Sequence, residues 1–311
     1  MIKFFKSQIL QLRKDWDQFW FGDICLLQLA LFRIVLCGTL FVMYLSRQFD
    51  AAAYFGEASF IPREMTLELF QEFYRMRIPW HFWPDSQAVW IHGFFVVSLL
   101  LLTLGIGGRA FMLLTWVLHM GFLYRNYAIA FGADLIGGGF LLYLAGTQSC
   151  ARLSLLNWLK LKMPMPKQDL LTPFFYRMIQ IQLCVIYAFT GFEKLKGGTW
   201  WDGTALWTIF ANTQLSAWNF EWTRQFPAVI ALLTFSTILF EIYFPVLVWV
   251  KRARPFLLLA GLAFHLGIAF TLALPTFSAV MLAPYILFLS KELFQQESLS
   301  KFSFQNLFRR S

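Results

Sequence analysis

The sequence predicts an all-α, polytopic integral membrane protein, a helical bundle of about eight transmembrane helices with both termini cytoplasmic. Three observations lead there. Charged residues make up only 14% of the 311 residues, with 59% apolar and 19% aromatic, against about 25% charged in soluble domains. Long apolar windows recur along the chain, and basic residues concentrate on alternate connections. This composition excludes a disordered chain, a collagen-like fibre and an ordinary soluble enzyme. The 4 cysteines form no C-x-x-C, so neither a disulfide scaffold nor a structural zinc is suggested. The net charge of +9 would raise nucleic-acid binding for a soluble chain. Here its distribution speaks for membrane lipids, and no nucleic-acid partner is expected.

Residues 1–23 carry Lys3, Lys6, Arg13 and Lys14 but no long apolar core. They read as a cytoplasmic amphipathic segment offering Phe4, Phe5, Ile9, Leu12 and Trp16 to the membrane, rather than as a cleaved leader. Residues 24–290 form the transmembrane domain. Its apolar windows are Ile24–Leu45, Ala88–Leu104, Ala110–Leu123, Ala130–Ala145, Tyr176–Gly191, Phe226–Val250, Phe256–Leu274 and the shorter Phe277–Leu289. Runs such as Leu99–Leu104 do not alternate, which argues for helices, the form that satisfies its own backbone in hydrocarbon. Several windows fall short of the roughly 20 residues a span needs, so their ends extend into polar residues or the helices sit inside the bundle. With the N-terminus inside, the inner segments hold sixteen basic residues and the outer ones eight, the positive-inside bias. Residues 291–311 are an amphipathic cytoplasmic tail. The outer segment Phe192–Gln225 carries Trp200, Trp201, Trp207, Trp218 and Trp222, and is expected to lie on or dip into the outer interface. Gly137–Gly138–Gly139 falls within a span, where small residues let helices approach. The pattern fits a multi-pass protein of the inner (cytoplasmic) membrane.

Ionisable residues within the spans are the natural site candidates, because charge is expensive there. Arg33 is either a substrate or headgroup anchor facing the bundle interior or half of a buried pair with Asp134 or Glu241. Asp134, a turn or two beyond Arg125, handles a proton, caps its helix or pairs with an arginine. Glu241 sits mid-span as a functional carboxylate or a paired packing element. His265 serves in a site or in a helix–helix hydrogen bond. Arg177, Gln180 and Gln182 suit polar interhelical contacts. No histidine spacing resembles a metal site, and no metal is expected. Lys194 leaves the fifth span on the outer side, followed by Leu195. It is a snorkelling interface lysine or, in apolar surroundings, a base. Glu193 beside it opposes the second role only if it points the same way, and adjacent helical residues do not.

An ordered set of short motifs spans most of the chain. It comprises Leu29–Ala30–Leu31–Phe32–Arg33–Ile34, Tyr124–Arg125–Asn126, Gly132–Ala133–Asp134, Thr190–Gly191–Phe192–Glu193–Lys194–Leu195, Trp201–Asp202–Gly203 and Phe264–His265–Leu266. In this set the chain resembles the HTTM family, the membrane module shared with vitamin K-dependent gamma-carboxylase. The resemblance implies that Lys194 is the base that deprotonates a reduced, vitamin K-like quinone. In the carboxylase, oxygen and the deprotonated hydroquinone then yield a strong base that removes a glutamyl γ-proton, and carbon dioxide adds. Arg33, Arg125 and Asp134 would position or neutralise charge, His265 would support the pocket, and a partner would present any peptide or protein substrate. The alternative is a non-enzymatic membrane partner in peptide maturation, export or envelope assembly. A transporter is a third reading, but neither paired broken helices nor an inverted repeat is evident in the sequence.

Overall fold

The computed structural model describes residues 2–69, 83–159, 169–214, 216 and 218–294. Those residues are all-α, with no strand among them. An N-terminal helix, α1 (Ile2–Phe21), leads into α2 (Leu26–Gln48) and two short helices, α3 (Ala51–Phe55) and α4 (Arg63–Leu69). Next come α5 (Asp85–Thr103), α6 (Arg109–Arg125), α7 (Gly132–Ala145) and the single turn α8 (Leu155–Trp158). The longest helix, α9 (Leu171–Lys194), is followed by the short α10 (Gly198–Trp201) and α11 (Ala205–Ala211). The chain closes with α12 (Pro227–Leu247), α13 (Arg254–Thr271) and α14 (Pro275–Leu282), the last running on as the 3₁₀ turn Ala283–Phe288.

Among the described residues, four helices, α2, α5, α12 and α13, are long and apolar enough to cross a membrane. The apolar stretches Gly132–Ala145 and Pro275–Phe288 are shorter. Helix α6 has 17 residues, and α9 reaches 24 only by including Arg177, Gln180, Gln182 and a charged end. The windows read from the sequence therefore each fall on a helix, while four of the helices meet the length and composition of a span.

Helix α2 is central. Leu29, Phe32, Leu36 and Leu40 on it are fully buried, packed against α5, α7 and the Ala283–Phe288 turn. Gly137 and Gly138 lie where α7 meets Leu40 and His119, so the small residues do bring helices close. By contrast α13 buries little besides Leu258, Gly261 and His265, and turns Phe256, Leu259, Leu266 and Phe270 outward. An apolar flank of that kind is what a helix against lipid presents.

Carbonyls at the end of the bundle are satisfied by side chains. Gln28 Nε2 donates to Ile286 O and Leu289 O, both at 2.9 Å, and Tyr176 Oη donates to Leu287 O at 2.6 Å. Gln180 Nε2 donates to the same carbonyl at 2.8 Å, so the glutamine seen in the sequence is an interhelical contact. Helix α1 leaves Ile9, Leu12 and Trp16 exposed, as an interfacial helix does. Its end is docked, with Trp20 stacked on Phe174 and Arg177 Nε donating to Phe19 O at 2.7 Å. The side chains of Phe4 and Phe5, the linker around Pro164 and the tail beyond Phe294 lie outside the described residues.

The tryptophan-rich segment follows the bundle inward. Leu206 N–H donates to Thr234 Oγ1 at 3.4 Å, and Gly203 lies against Ala231. Thus α10, α11 and the turn Glu221–Gln225 pack along the N-terminal half of α12.

Candidate functional site

Lys194 ends α9, and its side chain turns back into the bundle. Lys194 Nζ donates to Glu241 Oε2 at 2.7 Å and to Oε1 at 2.9 Å. The carboxylate side chain is only 5% exposed and the lysine 22%. The Trp200 ring covers the ammonium with its centroid 5.3 Å away, a cation–π contact. Glu193 points elsewhere and pairs with Lys196 at 2.6 Å.

Local sequence explains why these groups meet. Gly191, one turn before Lys194, is where α9 touches α12. A Cβ there would stand 3.0 Å from Ile242 Cγ1 and 3.2 Å from both Glu241 Cβ and Ile242 N. Glycine lets the helices approach this closely without displacing a neighbour. Pro245 sits inside α12 and has no N–H to donate to the carbonyl four residues earlier, which is that of Glu241. The acid therefore occupies a weakened turn of its helix. Glu241 also lies fourteen residues from Pro227, about 21 Å along α12 at 1.5 Å per residue. Lys194 consequently ends α9 far below the end of α12, and α10 and α11 fill the space above it.

His265 is tied to the face of α9 that ends in Lys194, through Tyr187 seven residues earlier. Tyr187 Oη is 2.7 Å from His265 Nε2 and 2.7 Å from Tyr285 Oη, joining α9, α13 and the terminal turn. His265 Nδ1 is buried with no hydrogen-bond partner among the described residues. Tyr187, Gly191 and Lys194 follow at i, i+4 and i+7, one face of α9. The structure thus pairs two of the sequence candidates, Lys194 and Glu241, and links a third, His265, to the same face of α9 through Tyr187.

The other three form separate clamps. Arg33 pairs with neither Asp134 nor Glu241. It is fully buried and donates to backbone carbonyls, to Ser149 O at 2.6 Å, Leu153 O at 2.7 Å and Arg152 O at 3.2 Å. These carbonyls lie just beyond α7 and would otherwise be orphaned. Asp134 pairs with Arg47, whose Nη1 and Nη2 reach Oδ1 at 2.7 Å and Oδ2 at 2.9 Å. Tyr44 Oη donates to Asp134 Oδ1 at 2.8 Å, and Phe131 N–H donates to Oδ2 at 3.0 Å, so Asp134 also caps its helix. Arg125 reaches Asp85 Oδ2 at 3.1 Å and Ile61 O at 3.0 Å, with Arg63 on the same carboxylate at 2.9 Å. The described residues hold no group of three His, Cys, Asp or Glu side chains arranged for a metal ion.

Sequence reasoning did not single out Tyr187, Arg47 or Asp85. Tyr187 was detectable through its spacing from Lys194. Arg47 and Asp85 lie at helix ends, where charge is ordinary, and nothing in their neighbourhood marks them. Compared with protein-family models, with curated proteins and with solved structures, the chain matches none.

Proposed function

We propose that this is an eight-span protein of the cytoplasmic membrane whose Lys194–Glu241 pair handles the proton of a lipid-soluble quinol, in the manner of the carboxylase core. The supporting observation is the two-oxygen ion pair at Lys194, roofed by Trp200, about 21 Å from the N-terminal end of α12 and about 9 Å from its C-terminal end. A surface lysine would extend towards water. An ion pair at that depth is costly, and such pairs mark sites by default.

A quinol suits these residues. The flank of α12 and α13 is apolar, the indole of Trp200 offers a face to an aromatic ring, and the pair offers one acid and one base. The quinol supplies an ionisable hydroxyl that, once deprotonated, is electron-rich. Glu241 accepts a proton from the Lys194 ammonium and so frees the amine. Lys194 then takes the hydroxyl proton: the O–H bond breaks, an N–H bond forms, and the electron pair stays on oxygen. The new ammonium lies beside that oxygen and stabilises its charge in a dry setting. His265 and Tyr187 support the helices around the pair.

Reconstitution with reduced menaquinone, oxygen, bicarbonate and candidate peptides tests this. Quinol-epoxide formation is expected in wild type and lost in Lys194→Ala. Glu241→Gln is expected to lower turnover by about 10²–10⁴-fold, the range for removing a proton-transfer group. Absence of turnover in folded protein supplied with its native peptide overturns the proposal.

One observation favours the second reading, a non-enzymatic partner in peptide maturation, export or envelope assembly. Arg33, Arg125 and Asp134 are engaged in their own clamps and do not surround Lys194. Under that reading Lys194→Ala leaves the biological phenotype intact while disruption of a clamp removes it.

A further inference from the structure

A pocket of about 260 Å³ lies where the turn between α1 and α2 meets the start of α9. It is smaller than the roughly 300–1,000 Å³ of sites for drug-sized ligands, so it suits a group the size of a lipid head. Phe21, Ile24, Leu170 and Pro173 form apolar walls. The ionisable side chains in the lining are Asp23 and Asp169, both acids. Asp169 is committed: it accepts from Thr172 N–H at 2.9 Å and from Gln148 Nε2 at 3.3 Å, and it pairs with Arg109. The exposed Asp23 carboxylate has no hydrogen bond or ion pair among the described residues. Lys291 stands next to it, but donates Nζ to the Asp23 backbone carbonyl. Two residues on, α2 opens at Cys25 without a side-chain cap, so its first N–H groups lack an intrahelical acceptor.

Position sets the depth of this pocket. Helix α1 leaves Ile9, Leu12 and Trp16 exposed, as a helix lying in the interface does, and α2 is long and apolar enough to cross. The turn that joins an interfacial helix to a span lies at the level of the lipid head groups. The basic excess assigns this end of the bundle to the cytoplasmic side.

We propose that this pocket binds a phospholipid whose zwitterionic head carries a primary ammonium. The ammonium is held by the Asp23 carboxylate. The phosphate is held by Lys291 and the N–H groups at the start of α2, the ordinary seat for such an anion. The glycerol end rests on Phe21, Ile24 and Leu170. A primary ammonium brings three N–H donors to the carboxylate, whereas the trimethylated nitrogen of a choline head brings none. The site is independent of the quinol reading, because Lys194 stands at the other end of α9.

Native mass spectrometry of the full chain, stripped of lipid in detergent, tests this by counting bound molecules. The probes are dioleoyl-phosphatidylethanolamine and dioleoyl-phosphatidylcholine, which differ only in the methyl groups on nitrogen. At equal concentration the wild type is expected to retain the ethanolamine lipid about fivefold more than the choline lipid, the upper end for one exposed ion pair. Asp23→Asn is expected to remove that preference and Asp23→Glu to keep most of it. Asp17→Asn changes an exposed acid of α1 that does not line the pocket, and is expected to leave the preference intact. Lys291→Gln is expected to lower retention of both lipids alike, because both carry the phosphate. Glycerophosphoethanolamine, the same head without acyl chains, is expected not to displace the bound lipid when added in excess. Equal retention of the two lipids by wild type overturns the proposal, as does a preference that survives in Asp23→Asn. Displacement by glycerophosphoethanolamine overturns it in favour of a site for a soluble amine.

Discussion

Arg33 is fully buried and is held by the carbonyls of Ser149, Arg152 and Leu153. Its planar fork reaches several oxygens at once, which a lysine ammonium does not. Arg33→Met is expected to cost about 3–5 kcal/mol, because it strands buried carbonyls that have no alternative donor. Arg33→Lys recovers only part of the loss. Thermal unfolding in detergent checks this, and an unchanged midpoint for Arg33→Met refutes the clamp. A second residue-scale prediction concerns pH. Burial pushes the Asp169 carboxyl up, but the Thr172 N–H at 2.9 Å and the Arg109 guanidinium outweigh it and hold the carboxyl below its usual range. A depressed folded value stabilises the fold above the unfolded value near 3.9 and loses that contribution as pH falls through the folded one. Wild-type stability should therefore decline below about pH 4, and Asp169→Asn should flatten that part of the stability profile. The sequence revealed at this scale which charges are costly. It did not reveal their partners: Asp134 meets Arg47 across 87 residues, and Lys194 meets Glu241 across 47.

At the scale of elements, the contact between α9 and α12 governs the candidate site. Gly191→Ala sets a methyl group against Ile242 N and Glu241 Cβ at 3.2 Å, and the backbone there has no rotamer by which to yield. The helices are expected to separate, at a cost of about 1–3 kcal/mol. Lys194 should then react faster with an amine-directed reagent than in wild type. Unchanged lysine reactivity in folded Gly191→Ala would mean that the pair does not depend on this approach. Helical windows were legible because hydropathy is local. The tryptophan-rich segment was less so. Its indoles suit an interface, yet Leu206 and Gly203 place it along α12, above Lys194, through contacts with Thr234 and Ala231.

For the whole molecule, the proposed eight-span arrangement makes a clear prediction. A C-terminal fluorescent-protein fusion should fluoresce, and alkaline phosphatase inserted between Trp201 and Phe226 should be active, because the inner segments carry the basic excess. An active phosphatase at the C-terminus would reverse the orientation and put Lys194 on the cytoplasmic side. The contacts are compatible with the alternation. Arg47, Arg125, Asp85 and Asp134 cluster at ends the alternation assigns to the outer side. Arg109 and Asp169 meet at ends it assigns to the inner side.

By itself the amino-acid order determined the all-α secondary structure and the apolar character of the long helices. A chain this apolar with long non-alternating runs must satisfy its backbone within helices, and the identity of the costly ionisable residues follows directly. Only the tertiary structure decided which of them share a site. Pairing across helices depends on where two surfaces can touch, and here that depends on the missing side chain of Gly191 and the broken turn at Pro245. Packing of this kind drew Lys194 and Glu241 together and dispersed Arg33, Arg125 and Asp134.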